Sequence, residues 1–385
     1  MNRVIRAVFF WAAGLAACLA DEPGNETRVL PPGMRLEPLP LRVTEPGENA
    51  GTPVRIQLGR LLFFDPILSA SKDVACATCH HPALGWADGR ATPLGVGGAG
   101  LGPARVQTQA NHFPVLPRNS LSILNAVYNG LVSDAKLDPK AAPMFWDSRA
   151  SSLEAQVFTP MRTREEMRGD LCAESEAVPR AVRRVKSIGE YRRLFAMAFP
   201  KAGDEPVTAE NLAASIAAFE RSLVAANTLY DRFLRGEATA LNALQQRGLK
   251  VFQDAGCTQC HGGPMLSDFK LHFIGVTDGT KDGQREFRTP TLRNLRRTAP
   301  YMHNGSLATL EDVLVFYDQL SDAVSETLDG GDASAQPPLD PLLKQLSLRP
   351  EDFPALLAFF DALDDPQYDQ SVPDRVPSGL AVPQP

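Results

Sequence analysis

Cys76-Ala77-Thr78-Cys79-His80 and Cys257-Thr258-Gln259-Cys260-His261 decide how this 385-residue chain is read. Each is a C-x-x-C-H, the attachment pattern of a c-type haem. Two thiols two residues apart can each form a thioether to a vinyl group of one porphyrin, and the adjacent histidine then supplies the proximal nitrogen to the iron. The two motifs use four of the six cysteines. The competing reading is a pair of C-x-x-C half-sites sharing one zinc. Zinc half-sites usually sit within roughly 20 residues of each other, and these two lie far apart in the chain.

The N-terminus agrees with haem attachment, which takes place outside the cytoplasm. A basic start (Arg3, Arg6), an apolar run from Ala7 to Leu15 and small residues after it read residues 1–20 as a secretory signal, too short to span a membrane. Leu15-Ala16-Ala17-Cys18 resembles a bacterial lipobox, in which Cys18 carries a lipid; cleavage after Ala20 is the alternative. The expected location is periplasmic, with a lipid anchor if Cys18 is modified. Cys172 is left over and reads as a buried, inert thiol.

A net charge of −6 and a pI near 5.6 give no electrostatic case for nucleic acid. The length allows two domains. Residues 21–52, rich in Pro, Gly and Glu, read as an extended linker. A helical period runs from Val54 to Phe63 and ends at Asp65-Pro66. Gly95 to Gly102 reads as a flexible loop. Thr208 caps a helix carrying Leu212, Ile216, Phe219 and Leu223, expected to run to Leu234. A break at Arg235-Gly236 precedes a helix leading to Cys257. Further helices start after Thr309, with Val313, Phe316, Tyr317 and Leu320 on one face, and near Glu351. Asp329 to Pro341 reads as a polar loop and the C-terminal tail as disordered. No strand alternation stands out. The expectation is an all-α chain of two cytochrome c-like domains with long loops: 53–235 around the first haem, 236–368 around the second, and a tail over 369–385.

Four further segments carry a resemblance: Leu58-Gly-Arg-Leu-Leu-Phe-Phe-Asp65, Phe145-Trp-Asp-Ser-Arg149 with Leu153-Glu154, Arg288-Thr-Pro-Thr-Leu-Arg-Asn294, and Pro300-Tyr-Met-His-Asn-Gly305. With the haem motifs they resemble the bacterial di-haem cytochrome c peroxidases and MauG-type enzymes over residues 54–366. The resemblance implies a peroxide-cleaving N-terminal haem and an electron-passing C-terminal haem. It places Glu154 over the first haem, where a carboxylate can move a proton between the peroxide oxygens.

The chain departs from the family's pattern in several places. Met144 stands where the family usually has glutamine. The histidine that caps the first iron in many of these peroxidases falls at Val96, and His112 reads as a loop histidine, so the first haem should keep an open sixth position. Fourteen residues after His303, where the peroxidases keep a methionine ligand, stands Tyr317, as in MauG-type enzymes. Met302 and Met265 are the rival ligands. An anionic phenolate should lower the haem potential relative to a thioether. Asn119, Thr298 and Pro300 match the family's calcium position, with oxygen donors that suit a hard cation. The family's inter-haem tryptophan has no counterpart, since Trp86 and Trp146 are the only tryptophans after the signal. The leading expectation is a periplasmic di-haem c-type peroxidase that reduces hydrogen peroxide with electrons from a small donor protein, a cytochrome c or cupredoxin. The alternatives are a MauG-like oxidase acting on a partner protein and a non-enzymatic electron carrier.

Overall fold

The computed structural model describes residues 33–42, 46–108, 113–132, 137–276, 284–328 and 339–384. The signal segment with Cys18, His112 and most of the 329–341 loop lie outside them. The described chain is mainly helical, with only two two-stranded antiparallel ribbons (Gly98–Ala99 with Val106–Gln107, and Leu271–His272 with Phe287–Arg288). The helices are α1 (Pro53–Phe64), α2 (Cys76–Cys79), α3 (Leu153–Gln156), α4 (Phe158–Arg162), α5 (Glu174–Ser187), α6 (Gly189–Ala198), α7 (Ala209–Ser222), α8 (Leu229–Leu234), α9 (Ala243–Asp254), α10 (Leu310–Leu328) and α11 (Phe353–Asp361).

One local design is used twice. α1 crosses α7 at Gly59, where a Cβ would stand 1.9 Å from Ser215 O and 2.8 Å from Phe219 Cβ. α9 crosses α11 at Gly248, where a Cβ would stand 1.9 Å from Ala355 O and 2.8 Å from Phe359 Cβ. One turn beyond each glycine a phenylalanine meets its partner on the other helix: Phe63 and Phe219 at 5.3 Å between ring centroids, Phe252 and Phe359 at 5.2 Å. The missing Cβ lets each backbone pair close up, and the aromatic pair fills the space beside it. Two hydrophobic cores result. The first gathers α1, α5, α6 and α7 around Phe63, Tyr191 and Phe195. The second gathers α8, α9, α10 and α11 around Tyr230, Phe252 and Leu356. Each fully buried aromatic or leucine contributes roughly 1.5–3 kcal/mol.

The repetition extends to the loops. Asn125 and Asn294 both take left-handed backbone (φ 61° and 56°) and each leads into a single 3₁₀ turn. The pairs Met144–Ala150 and Tyr301–Leu307 close equivalent seven-residue turns by antiparallel bridges. Leu153-Glu154 and Leu310-Glu311 follow at the same distance from those turns.

Four expectations change. The helix begun by Thr208 stops at Ser222 rather than Leu234, because the Asn125 side chain accepts from Ala225 N (2.7 Å) and donates to Ala225 O (3.1 Å), drawing that peptide out of helical pairing. Thr228 then caps α8 as a new helix. The described part of the linker is packed: Met34 N donates to Thr258 O, Gly263 N to Arg35 O, and Leu39 is buried with its N–H on Asp231. The glycine-rich loop is pinned by Arg105, which donates to Leu94 O, Gly95 O and Gly100 O.

The tail is the fourth. It runs back over the first core, burying Tyr368 and Val376. The Trp86 indole donates to Asp369 O (2.9 Å), and Ser378 Oγ donates to Asp65 Oδ1 (2.6 Å). Its composition is polar, but its few apolar residues are spaced to reach a groove that only the folded core creates.

Candidate functional site: two cysteine-histidine cavities

Each C-x-x-C-H lies in a short helical turn on the wall of a cavity. The first cavity, about 550 Å³, is lined by Cys76, Cys79 and His80. The second, about 240 Å³, is lined by Cys257, Cys260 and His261. His80 Nδ1 lies 3.3 Å from Trp86 O, and His261 Nδ1 3.0 Å from Leu266 O. A carbonyl can only accept, so Nδ1 carries the proton and Nε2 keeps its lone pair. Burial lowers both imidazole pKa values, which keeps the rings neutral and fit to bind a metal. Burial also pushes the Cys76 and Cys257 thiols up to about 12 and raises that of Cys79. These thiols are protonated and share no disulfide.

The donor set fits a haem: two thiols and one neutral imidazole beside a cavity, twice. A further observation fits it too. Asn119, Ser120, Leu121, Ser122, Trp146 and Arg288 line both cavities, so the two share a wall. Arg288 is 5% exposed, and burial lowers its pKa to about 10. Its Nε donates to Phe145 O (2.8 Å), leaving most of its N–H groups for an anion such as a haem carboxylate. Trp146, set aside in the sequence reading, stands on this common wall with its indole N–H on Asn119 O (2.8 Å).

The repeat also shows how the cavities differ. Tyr317 lies seven residues after Leu310 and lines the second cavity, where burial among Cys260 and Cys257 raises its phenol pKa. Seven residues after the equivalent Leu153 comes Pro160, which lines the first cavity and offers no side-chain ligand atom. Of the rival methionines, Met302 lines the second cavity and Met265 packs in a separate apolar cluster. Met144 lines the first cavity and accepts a contact from Asn129 Nδ2 (3.3 Å).

Glu154 sits on α3 but is absent from the cavity wall, which Leu153 and Gln156 of the same helix line. Its Oε1 accepts from Asn49 Nδ2 (2.6 Å) and Arg221 Nη2 (2.6 Å), and its side chain is 30% exposed. Glutamates that the sequence reading did not single out, Glu165, Glu166 and Glu220, do line the first cavity. Burial raises Glu166 to about 7 and Glu220 to about 8. A second unforeseen group is His272, on the second cavity. It is held between Asp268 (3.0 Å) and Asp340 (2.6 Å), and hydrogen bonding to Asp268, then to the Cys260 sulfur and Asp340, raises its pKa to about 11. Asn119, Thr298 and Pro300 are all among the residues that line the second cavity. Asn119 spends its amide nitrogen on Arg90 O (2.8 Å), which leaves its carbonyl oxygen as the group a cation would take. Cys172 is half-buried rather than fully enclosed.

A helical chain with paired, similar cavities, each walled by two cysteines and a histidine, has the layout of a di-haem protein. The profile of the di-haem cytochrome c peroxidases matches residues 53–239. The chain is 34% identical over 318 residues to the methylamine utilization protein MauG of Methylorubrum extorquens, covering 79% of each. It is 34% identical over 297 residues to the cytochrome c551 peroxidase of Pseudomonas aeruginosa, covering 72% of this chain and 75% of that one. Among solved structures, it is similar to a MauG-like protein associated with microbial copper homeostasis (TM-score 0.65, 27% identity, covering 90% and 95%). The diheme peroxidase BthA from Burkholderia thailandensis shares the fold (TM-score 0.61, 21% identity, covering 92% and 100%). The chain therefore belongs to the di-haem cytochrome c peroxidase and MauG family, is a peroxidase-like oxidoreductase, and has two haems as its cofactors.

Proposed function

We propose that this chain is a periplasmic di-haem peroxidase that reduces hydrogen peroxide with electrons from a small donor protein, a cytochrome c or cupredoxin. In this reading Cys76 and Cys79 hold one haem covalently and Cys257 and Cys260 the other, in two haem domains that meet between α7 and α9. His80 and His261 would supply an imidazole nitrogen to each iron. The observation that carries the reading is the asymmetry of the repeat: Tyr317 faces the second cavity where Pro160 faces the first. At the matching position one site has a side chain that can close a sixth coordination position and the other has a proline, as a relay site and a substrate-binding site require. When bound, the first haem supplies the iron at which the peroxide O–O bond is cleaved.

The chain's own residues do the rest. The backbone carbonyls of Trp86 and Leu266 fix the tautomer and orientation of the two histidines. Glu154 moves a proton between the peroxide oxygens, its carboxylate held until then by Asn49 and Arg221. Tyr317 would ligate the second iron, giving up its phenol proton to do so, and an anionic oxygen there would favour the oxidised state. Trp146 and Arg288 supply the shared wall across which electrons pass. Asn119, Thr298 and Pro300 hold a calcium ion beside that wall, with water completing its shell.

Tyr317 also favours a second reading, a MauG-like oxidase acting on a partner protein, since it stands where MauG-type enzymes have tyrosine. Electron paramagnetic resonance of the diferric protein, with a peroxide titration followed optically, tests the first reading. One high-spin and one low-spin haem and rapid consumption of peroxide in the presence of a reduced donor are expected. Two low-spin signals that peroxide does not alter would leave only an electron carrier. Peroxide reactivity without turnover of any small donor would favour the partner-protein oxidase.

A further inference from the structure

The two crossing-helix pairs differ at one cavity-facing position. In the second core Phe359 is followed by Phe360, which lines the cavity. In the first core Phe219 is followed by Glu220, which lines the other cavity. Glu220 is 4% exposed, and its Oε2 is buried with no hydrogen-bond partner among the described residues. Arg221 beside it is 3% exposed; its Nη2 binds Glu154, while its Nη1 is buried and also has no partner among them. The charged or titratable groups that act on Glu220 are Arg221 on α7 itself and Glu154 on α3, and Glu220 acts in turn on the Cys76 thiol of α2; the Arg60 guanidinium of α1 lies 4.8 Å over the neighbouring Phe219 ring. Leaving a buried acceptor unmatched costs about 1–3 kcal/mol. The same helix crossing takes phenylalanine at this position in the other core, so packing alone does not call for an acid here.

We propose that Glu220 is a neutral carboxylic acid that holds a transferable proton against the first cavity. The proposal rests on the peroxidase reading and deepens it. Reduction of one hydrogen peroxide takes up two protons and two electrons and yields two waters. The electrons come from the reduced donor protein. Glu154 moves the peroxide's own proton onto the oxygen that leaves first as water. Of the two protons taken up, Glu220 gives one to the remaining oxygen, its O–H bond breaking as the new O–H bond forms; the other comes from solvent, and the Glu220 carboxylate is left beside Arg221. Arg221 has a free N–H to meet that charge. Glu154, partly exposed on the other arm of Arg221, is placed to exchange protons with solvent, while Glu220, sealed from solvent, is placed to hold one. The buried acid is raised to about 8, mainly by desolvation, so it keeps its proton at neutral pH and loses it above.

The test uses haem-loaded wild type, Glu220→Gln and Glu220→Asp. The infrared difference spectrum between oxidised and reduced protein should contain a carbonyl stretch of a protonated carboxylic acid. That band should vanish in Glu220→Gln and persist in Glu220→Asp. Peroxide turnover by the wild type should fall as pH rises through about 8. Glu220→Gln should be at least tenfold slower at pH 7 and lose that alkaline limb, and Glu220→Asp should recover most of the rate. A Glu220→Gln variant with the wild-type band, rate and pH profile overturns the proposal, as does a Glu220→Asp variant as slow as Glu220→Gln. If the wild type consumes no peroxide, the peroxidase reading fails, and the infrared band alone still decides whether Glu220 holds a proton. If Glu154→Gln is inactive while Glu220→Gln keeps its rate, the peroxidase reading stands and Glu220 is only a buried acid.

Discussion

Gly248→Ala should loosen the second haem site without touching the first. An alanine Cβ at 248 would stand 1.9 Å from Ala355 O, 2.6 Å from its carbonyl carbon and 2.8 Å from Phe359 Cβ. Ordinary contact begins near 3.4 Å, so α9 and α11 must part by about 1.5 Å. The obstacle is backbone, which cannot rotate aside as a side chain can. A gap of even 0.5–1 Å forfeits about a quarter to a half of each dispersion contact across it, and Phe252, Leu356, Phe359 and Phe360 all sit at this crossing. Overpacking then costs about 3 kcal/mol, at the upper end of its usual range. Alanine returns ~1 kcal/mol of helix propensity. The net loss is about 2 kcal/mol, or roughly 4–8 °C in Tm. Thermal melting by circular dichroism gives the stability. The pyridine haemochrome assay counts haems per chain and should show the second haem under-loaded. Gly47→Ala, with nothing within 4 Å of the new methyl, is the control and should melt with the wild type. A Gly248→Ala protein that melts at or above the wild-type temperature with two haems would refute the close-crossing argument, and with it the claim that the two cores are built alike.

Replacing Tyr317 with Met should raise the potential of the second haem, because a neutral thioether favours ferrous iron relative to a phenolate; potentiometry showing no change would make Tyr317 a packing residue. Glu154→Gln should keep both haems and slow peroxide turnover about 10²- to 10⁴-fold, measured by donor oxidation at saturating peroxide. Asp231→Asn leaves the buried Arg293 guanidinium, bound at 2.8 and 2.9 Å, without its counter-charge and should cost about 3–5 kcal/mol in a denaturant titration. Glu220 has a folded pKa of about 8, against 4.5 for an ordinary glutamate. The folded state therefore binds the extra proton between those values, and stability falls as pH rises through that window. Glu220→Gln should flatten this slope, which unfolding titrations at pH 5 and pH 8 would show. Ending the chain at Asp365 removes the buried Tyr368 and Val376 and should cost roughly 3–6 kcal/mol; an unchanged denaturant midpoint would mean the tail adds nothing to the core.

The haem motifs, the helical class and five of the eleven described helices (α1, α7, α9, α10 and α11) were legible in the sequence because each rests on local chemistry, whereas α5 and α6 were not read. Thioether attachment fixes the C-x-x-C-H spacing. A helix start such as Thr208 or Thr309 writes its own cap, and an apolar stripe such as Leu212, Ile216 and Phe219 announces the face it buries. The doubled architecture was half visible. The two motifs were read, but the equivalent Gly59–Phe63 and Gly248–Phe252 pairs were not, although the same four-residue spacing stands in both. The match between Leu153 and Leu310 was also available by counting.

What only the tertiary structure decided is whatever depends on residues far apart in the chain. Helix α7 stops where it does because Asn125, about a hundred positions away, takes both hydrogen bonds of Ala225. The tail is held by Asp65 and Trp86, near the opposite end of the sequence. Pro160 acquires meaning only when folding sets it opposite the role of Tyr317. Glu154 reads as the acid of the first site from its neighbours in sequence, yet Asn49 and Arg221 hold its carboxylate off the cavity wall and Glu220 lines that wall instead. Periodicity can say that a residue is buried. Which groups burial brings together, and therefore which acid stays protonated and which guanidinium is left to meet an anion, follows from desolvation and distance in three dimensions.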